Sequence, residues 1–284
     1  MAEENRKSLP ALIIELLIII AGGLVVLSFF LWGKAFHRGF YCDDESLRHP
    51  YHDSTVPSYY LYIFGFGGNL IAIIISEFKG DRKARVTVAG FSIPKWIFES
   101  YREFIFFCFG AACSQCITDS LKYTVGRLRP HFYTLCLPIF QGTTCESNIS
   151  SLHRYITDYQ CSNPDISQRQ LKEMRLSFPS GHSSFAMYTM LYFALFVGAR
   201  FKCRTWSIIK HSIQYIAVLG ALWVGMTRVS DYKHHWSDVL AGLAIGVVSA
   251  VINMHVFGVT NNTKYTIPPS LESQYIPLLS CRDS

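Results

Sequence analysis

One stretch near the carboxyl end of the chain combines the residue types that phosphate chemistry uses. It covers residues 227–238, in a short gap between two long apolar segments, so we expect it at a membrane surface. Arg228 precedes His234 by six residues, and Asp238 follows His234 by four. Four residues are about one helical turn, so a helix would let the Asp238 carboxylate orient the His234 imidazole. An oriented imidazole is a base or a nucleophile, and an arginine binds phosphate or carboxylate through its planar fork.

The same stretch also has a simpler interpretation as a polar connector between two membrane helices. Arg228 and Lys233 would then extend toward water, and Trp236 would lie at the membrane interface. Ser237 or Asp238 would cap the next helix. The rest of the chain decides between the two interpretations.

The composition indicates a membrane protein. The chain has 284 residues, of which 50% are hydrophobic and 16% are charged. Soluble domains carry roughly 25% charged residues, and here the apolar residues form long blocks. The net charge of +6 lies mostly in short loops without a basic stripe, so we expect no nucleic-acid partner.

Six apolar segments are long enough to cross a bilayer, which predicts an all-α membrane protein. They cover residues 11–32, 59–76, 104–121, 183–201, 211–226 and 239–259. Residues 94–103 mix aromatic and charged side chains, as in a short interfacial helix that leads into the third span. The spans carry almost no charge, which argues against a transporter. Residues 1–10 and 260–284 are predicted to be a cytoplasmic amino terminus and a cytoplasmic tail.

The distribution of Lys and Arg predicts the orientation of these spans. The loop between spans two and three carries five Lys or Arg residues, and the loop between spans four and five carries four. Both loops should therefore be cytoplasmic. The long loop at 131–177 then faces the other side, where Asn148 in Asn-Ile-Ser would accept a glycan. Disulfides can form on that side, and the pairing stays open among four loop cysteines: Cys42, Cys136, Cys145 and Cys161.

Three polar stretches, at 122–130, 179–182 and 227–238, are predicted at the outer ends of spans three to six. They supply three cations, two histidines and a carboxylate: Lys122, Arg129, Arg228, His182, His234 and Asp238. Ser180 and Gly181 lie at a helix start, where free N–H groups favour an anion and glycine lets it approach closely.

This set suits phosphoryl transfer, in which catalysis is mainly positioning and electrostatic stabilisation. One histidine would attack phosphorus, and the other would protonate the leaving alcohol and later activate water. No carboxylate cluster has metal-ligand spacing, so we expect neither a metal nor another cofactor. Singly, Lys122 could be a membrane anchor and Ser180 only a helix cap. We interpret His235 as structural, and Asp231 and Lys233 as ordinary loop charges.

At these residues the chain closely resembles the lipid phosphate phosphatases, also called phospholipid phosphatases or type 2 phosphatidic acid phosphatases. The family pattern is Lys, six residues, Arg-Pro; then Pro-Ser-Gly-His; then Ser-Arg, five residues, His, three residues, Asp. It is matched by Lys122 with Arg129-Pro130, by 179–182, and by Thr227-Arg228 with His234 and Asp238. Thr227 replaces the usual Ser but keeps the hydroxyl. The likeness covers roughly residues 34–260.

The resemblance implies a role for each matched residue. His234 would be the nucleophile, Asp238 would orient it, and His182 would be the acid toward the leaving group. The phosphate would be held by Lys122, Arg129, Ser180, Gly181 and Arg228. The family implies magnesium-independent hydrolysis of phosphatidate, lysophosphatidate, ceramide 1-phosphate and sphingosine 1-phosphate through a phosphohistidine intermediate, at the extracellular or luminal face.

The resemblance also implies membrane lipid phosphates as substrates. The oligomeric state stays open, and a homo-oligomer is one option because members of the family self-associate. We expect the protein in the plasma membrane with its site outside, and membranes of the secretory pathway are the alternative. Two other functions stay open. One is a polyprenyl-diphosphate phosphatase, which would share the three motifs. The other is a non-catalytic phospholipid-binding membrane protein, although relatives of that kind lack motif residues that are all present here.

Overall fold

Helices dominate the part of the chain that the computed structural model describes, which is residues 9–79, 82–88, 90–147, 153–201 and 205–257. They are α1 (Leu9–Trp32), α2 (Ser58–Phe78), α3 (Lys95–Val125), α4 (Phe132–Cys136), α5 (Gln168–Glu173), α6 (Gly181–Arg200), α7 (Ser207–Ser230) and α8 (Trp236–Val256). A 3₁₀ turn covers Glu45–Leu47. Asn148, residues 1–8 and residues 258–284 lie outside the described residues, so the glycan site and most of both predicted cytoplasmic ends do too.

Five of the described helices are long and apolar enough to cross a membrane: α1, α2, α3, α7 and α8. The chain is therefore an integral membrane protein of mainly helical architecture. The six-span expectation is met only in part, because α6, which covers the segment predicted at 183–201, is not one of the five. More than half of the residues of α6 are buried against other helices. Its two serines, one threonine and two tyrosines lower its mean hydropathy, and packing against other helices keeps these side chains away from lipid.

Five of the six helices that cover predicted segments are longer than those segments, and α8 is the exception. α3 begins at Lys95, so the expected interfacial helix and the third span form one continuous helix. Apolarity marks the part of a helix inside the membrane, whereas backbone hydrogen bonding continues through the charged turns. α3 ends at Val125 and is followed by Gly126, whose φ of 58° is left-handed and where an added Cβ would collide with the Phe36 carbonyl oxygen.

α6 lies at the centre of the bundle and packs most extensively on α7 and α8. Two glycines of α8 permit this close approach. An added Cβ would lie 2.5 Å from the Ser180 carbonyl oxygen at Gly242, and 2.6 Å from that of Ser184 at Gly246. The first turns of α6 and α8 are consequently adjacent, and the Ser180 N–H donates to the Asp238 carbonyl oxygen at 2.9 Å.

Short strands, which the sequence did not predict, join the loops. β1 (Phe40–Tyr41) pairs with β5 (Tyr155–Ile156), β2 (Arg85–Val88) with β3 (Phe91–Pro94), and β4 (Pro138–Ile139) with β6 (Gln160–Cys161), all antiparallel. Two disulfides, Cys42–Cys145 and Cys136–Cys161, pair the four loop cysteines. They belong to a buried cluster with Phe40, Phe132 and Met174. This disulfide layer lies next to the first motif, because Leu128 belongs to the same buried cluster and the Arg129 N–H donates to the Met174 carbonyl oxygen at 2.8 Å.

Candidate active site

His234 lies in the short turn between α7 and α8. The N–H groups of Lys233 and His234 both donate to the Arg228 carbonyl oxygen, at 3.0 and 3.1 Å, which tightens the turn. The His234 Nδ1 atom is 2.6 Å from the carbonyl oxygen of Ser177. A carbonyl oxygen only accepts, so Nδ1 carries the proton. Nε2 therefore has a free lone pair.

Asp238 does not bond to His234 directly. Its nearer carboxylate oxygen is 3.9 Å from His234 Nδ1, which is too far for a hydrogen bond. The carboxylate instead accepts from the Arg127 guanidinium at 2.6 Å, the Ser177 hydroxyl at 2.6 Å and the His235 N–H at 3.0 Å. The expected direct contact assumed one continuous helix, but α8 begins only at Trp236. Asp238 thus helps to cap its own helix. It also accepts from the Ser177 hydroxyl, and the carbonyl of Ser177 orients His234.

His234 is only 3% exposed and stands among positive charges. Its burial lowers the pKa of the imidazole well below the ordinary value, and the cations of Arg129 and Lys122 lower it further. The ring is consequently neutral at physiological pH. A neutral imidazole with its Nδ1 proton fixed is a nucleophile in a single tautomer.

His182 is the second residue of α6, and its Nε2 atom is 3.4 Å from the Ser58 hydroxyl. Ser180 caps the helix, because its Oγ accepts from the Ser183 N–H at 3.4 Å and from the Ser183 hydroxyl at 2.9 Å. The N–H groups of Gly181 and His182 belong to the first turn, which has no intrahelical acceptors. The start of α6 therefore offers donors to an anion.

Two cations flank the start of α6 without carboxylate partners. The Lys122 ammonium is close enough to Gly181 that an added Cβ there would lie 3.4 Å from Nζ. In the described part of the chain, Lys122 makes no ion pair. Arg129 is held by its backbone, which donates to the Met174 carbonyl oxygen at 2.8 Å. Its buried Nε has no hydrogen-bond partner among the described residues. Both side chains are therefore available to an anionic ligand.

A hydrogen-bond network orients the third cation. Arg228 is 1% exposed, and its guanidinium donates to the Asp231 carboxylate at 2.8 Å and to the Thr227 hydroxyl at 3.1 Å. Asp231 also accepts from the Thr55 N–H at 2.8 Å and the Thr55 hydroxyl at 2.6 Å. The hydroxyl of Thr227 thus contacts the arginine of its own motif.

The segment at residues 48–57 lies against this turn. The His49 ring stacks on Tyr232 with 4.4 Å between ring centroids, and the Lys233 ammonium is 3.6 Å from the Tyr51 ring centroid. Lys233 is buried, which lowers its pKa to about 8. Asp231 and Lys233 are thus buried parts of the site, so their interpretation as ordinary loop charges was wrong.

A cavity of about 1260 Å³ connects these groups. Its polar end contains six of the eight residues that the sequence predicted: Lys122, Arg129, Gly181, His182, Arg228 and His234. Ser180 and Asp238 are fully buried behind this wall. Much of the remaining lining is apolar and comes from α1, α2 and α3, including Leu27, Phe30, Leu61 and Phe66, whereas α5 adds polar and charged side chains. A cationic site therefore opens into an apolar cleft.

Comparison with known proteins identifies the family. The model of the PAP2 superfamily matches residues 103–261. The chain belongs to this superfamily. A Drosophila melanogaster protein named "Putative phosphatidate phosphatase" is 42% identical, over 88% of this chain and 69% of its own length. Rat phospholipid phosphatase 1 is 35% identical over 87% of this chain and 85% of its own, and human phospholipid phosphatase 2 is 36% identical over 85% and 81%. No solved structure matches the chain.

These comparisons confirm the family that the three motifs predicted.

Sequence reasoning missed some residues of the site. The sequence did contain a signal for Asp231, because it follows Arg228 by three residues, and residues at that spacing are neighbours on a helix. Ser177 and Thr55 had none, since their partners lie 57 and 176 residues away along the chain.

Proposed function

We propose that this PAP2-superfamily enzyme removes the phosphate from lipid phosphate monoesters through a phosphohistidine at His234, without magnesium. Its relatives named as phospholipid and phosphatidate phosphatases support this reaction class. One structural observation carries the proposal: the cations and histidines line the same cavity as the apolar walls of α1–α3. Lipid phosphates combine an anionic head with apolar chains, and a pocket binds what complements its lining.

The chemistry takes two steps. In the substrate complex the phosphate dianion offsets the surrounding cations, and His182 carries a second ring proton taken up from solvent. The Nε2 atom of His234 attacks phosphorus, the P–O bond to the lipid alcohol breaks, and the His182 imidazolium donates its proton to the leaving oxygen. His182 then takes a proton from water, whose oxygen attacks phosphorus as the P–N bond breaks. Inorganic phosphate leaves, and both histidines return to their starting states.

The phosphoryl oxygens carry negative charge throughout, so fixed positive groups stabilise the transition state. We assign this role to Lys122, Arg129 and Arg228, together with the N–H groups that begin at Gly181. Ser180 holds the first turn of α6 in place. Asp238 supports His234 through Ser177.

We place the site on the extracytoplasmic side. Its disulfide layer, with Cys42–Cys145 and Cys136–Cys161, supports this orientation because disulfides persist in oxidising compartments. We retain α6 as a sixth span enclosed by protein. Its 20 residues give about 30 Å of helix, which matches the hydrocarbon thickness of a bilayer. The plasma membrane is the proposed location, with the secretory pathway as the alternative.

The test measures phosphate release from lysophosphatidate by intact cells that express the chain, with excess EDTA present. We expect release well above that of vector controls. His234→Ala should abolish it, by on the order of a thousandfold or more, because no nucleophile remains. His211→Ala, which changes an exposed histidine at the other end of α7, is the matched control and should retain activity.

The outcomes separate the parts of the proposal. Activity that appears only after permeabilisation would reverse the orientation but keep the reaction. Activity retained by His234→Ala would contradict the role of His234. If a folded wild-type protein releases phosphate under neither condition, the enzymatic proposal fails.

A further inference from the structure

Two carboxylates line the cavity, and they differ in their partners. Glu173 is paired with Arg169 at 2.7 Å. Asp119, on α3, makes no ion pair in the described part of the chain and lies outside the three motif stretches. It lies within a membrane-crossing helix, where an ionised side chain is costly and usually serves a function.

Gln115 holds the Asp119 carboxylate in place. The Gln115 side-chain amide donates to both carboxylate oxygens, at 3.0 Å each, one turn apart on the same helix. Both side chains face the cavity. A carboxylate has about four acceptor positions, so this arrangement leaves capacity for another donor. The surrounding walls from α1 and α2 supply mainly apolar side chains.

The position of Asp119 relative to the phosphate site suggests what this donor is. Asp119 precedes Lys122 by three residues, which in an α-helix corresponds to about 4.5 Å along the axis. Consider a lipid whose phosphate contacts Lys122 and whose chain lies in the apolar cleft. The carbon next to the one that carries the phosphate would then lie near Asp119. We propose that Asp119 and Gln115 form a subsite for a free ammonium or hydroxyl group on the carbon next to the phosphorylated one.

This inference rests on the proposed phosphatase function and adds a basis for choosing among lipid phosphates. Sphingosine 1-phosphate carries an ammonium at that carbon, and lysophosphatidate carries a hydroxyl. Phosphatidate carries an ester there, which has no proton to donate. The subsite therefore favours the first two lipids over the third.

The experiment compares kcat/KM of the purified full chain and its Asp119→Asn variant on these three lipids in one detergent. We expect the variant to lose about tenfold on lysophosphatidate and more on sphingosine 1-phosphate, because the hydrogen bond is no longer strengthened by the negative charge of the acceptor. Phosphatidate hydrolysis should change by less than about twofold, since that lipid makes no such bond. Ser120→Ala is the control, because this exposed hydroxyl donates to the Cys116 carbonyl oxygen and does not belong to the lining of the cavity.

An equal loss on all three lipids would mean that Asp119 positions Lys122 or stabilises the fold, and this result would overturn the subsite. No change on any lipid would overturn it too. If Asp119→Asn does not fold, Gln115→Leu should produce the same preference in a weaker form. If the wild type hydrolyses none of the lipids, the phosphatase proposal fails. The subsite is then judged by thermal stabilisation, which sphingosine 1-phosphate but not phosphatidate should give in an Asp119-dependent manner.

Discussion

The Nδ1 atom of His234 lies 2.6 Å from the carbonyl oxygen of Ser177, whereas the nearer Asp238 oxygen is 3.9 Å from the same atom. The Ser177 hydroxyl in turn donates to Asp238 at 2.6 Å. One residue therefore links the carboxylate to the imidazole through its side chain and its backbone. The effect of Asp238 on His234 passes mainly through Ser177.

This link predicts non-additive mutations. Ser177→Ala keeps the carbonyl that accepts from His234 but removes the hydroxyl that donates to Asp238. Asp238→Asn removes the negative charge of the carboxylate that accepts this hydrogen bond. A hydrogen bond to a charged group contributes about 1.5–3 kcal/mol, so we expect each variant to lose roughly tenfold or more in kcat. The double variant should lose little beyond the more damaging single one, because both act on the same bond. Kinetics of the four proteins check this, and fully additive losses would disprove the linkage.

Asp231 should be important for both binding and stability. Its carboxylate forms an ion pair with the buried Arg228 and accepts hydrogen bonds from the N–H and the hydroxyl of Thr55. Breaking one side of a buried ion pair costs about 3–5 kcal/mol, so Asp231→Asn should unfold at a clearly lower temperature and show a raised KM. Thr55→Val is the matched variant, because it removes only the hydroxyl and keeps the backbone bond. A loss of about 1 kcal/mol is expected there. Equal effects of the two variants would argue against the role of Asp231 at Arg228.

The stability of the protein should fall in mild acid because of His131. This residue is 2% exposed and its Nδ1 donates to the Tyr232 carbonyl oxygen at 2.8 Å. Burial and, to a smaller extent, the positive charge of Arg129 together lower the pKa of His131 from 6.5 to about 4. The unfolded chain therefore binds a proton between pH 6.5 and 4 that the folded chain does not. Stability is full above pH 6.5 and falls by roughly 3 kcal/mol toward pH 4.

Thermal unfolding in detergent from pH 7.5 to 5 measures this decline. His131→Asn keeps a donor near the Nδ1 position but does not titrate, so its unfolding temperature should depend less on pH. His211→Asn, at an exposed site, should follow the wild type. If His131→Asn and the wild type decline in parallel, another group is responsible. His234 is the first alternative, since its pKa is lowered as well.

The sequence by itself determined the family, the membrane class and the candidate residues of the site. Long apolar blocks are visible in any window of about 20 residues, because a helix must cover the bilayer thickness. The motif residues stand at short spacings inside three local stretches, so their order alone identified them. Those stretches predicted six of the residues that line the polar end of the cavity, including Lys122, His182 and His234.

Only the tertiary structure decided how these residues are held. Ser177 and His234 meet across 57 residues, and Thr55 and Asp231 across 176. Such contacts depend on how helices pack, for example on the approach of α8 to α6 that Gly242 permits, and no local pattern encodes them. No local pattern encodes the disulfide pairing either, or the position of Asp119 in the lining of the cavity. Spacing reports which side chains are near along the chain, and only packing brings distant ones within bonding distance.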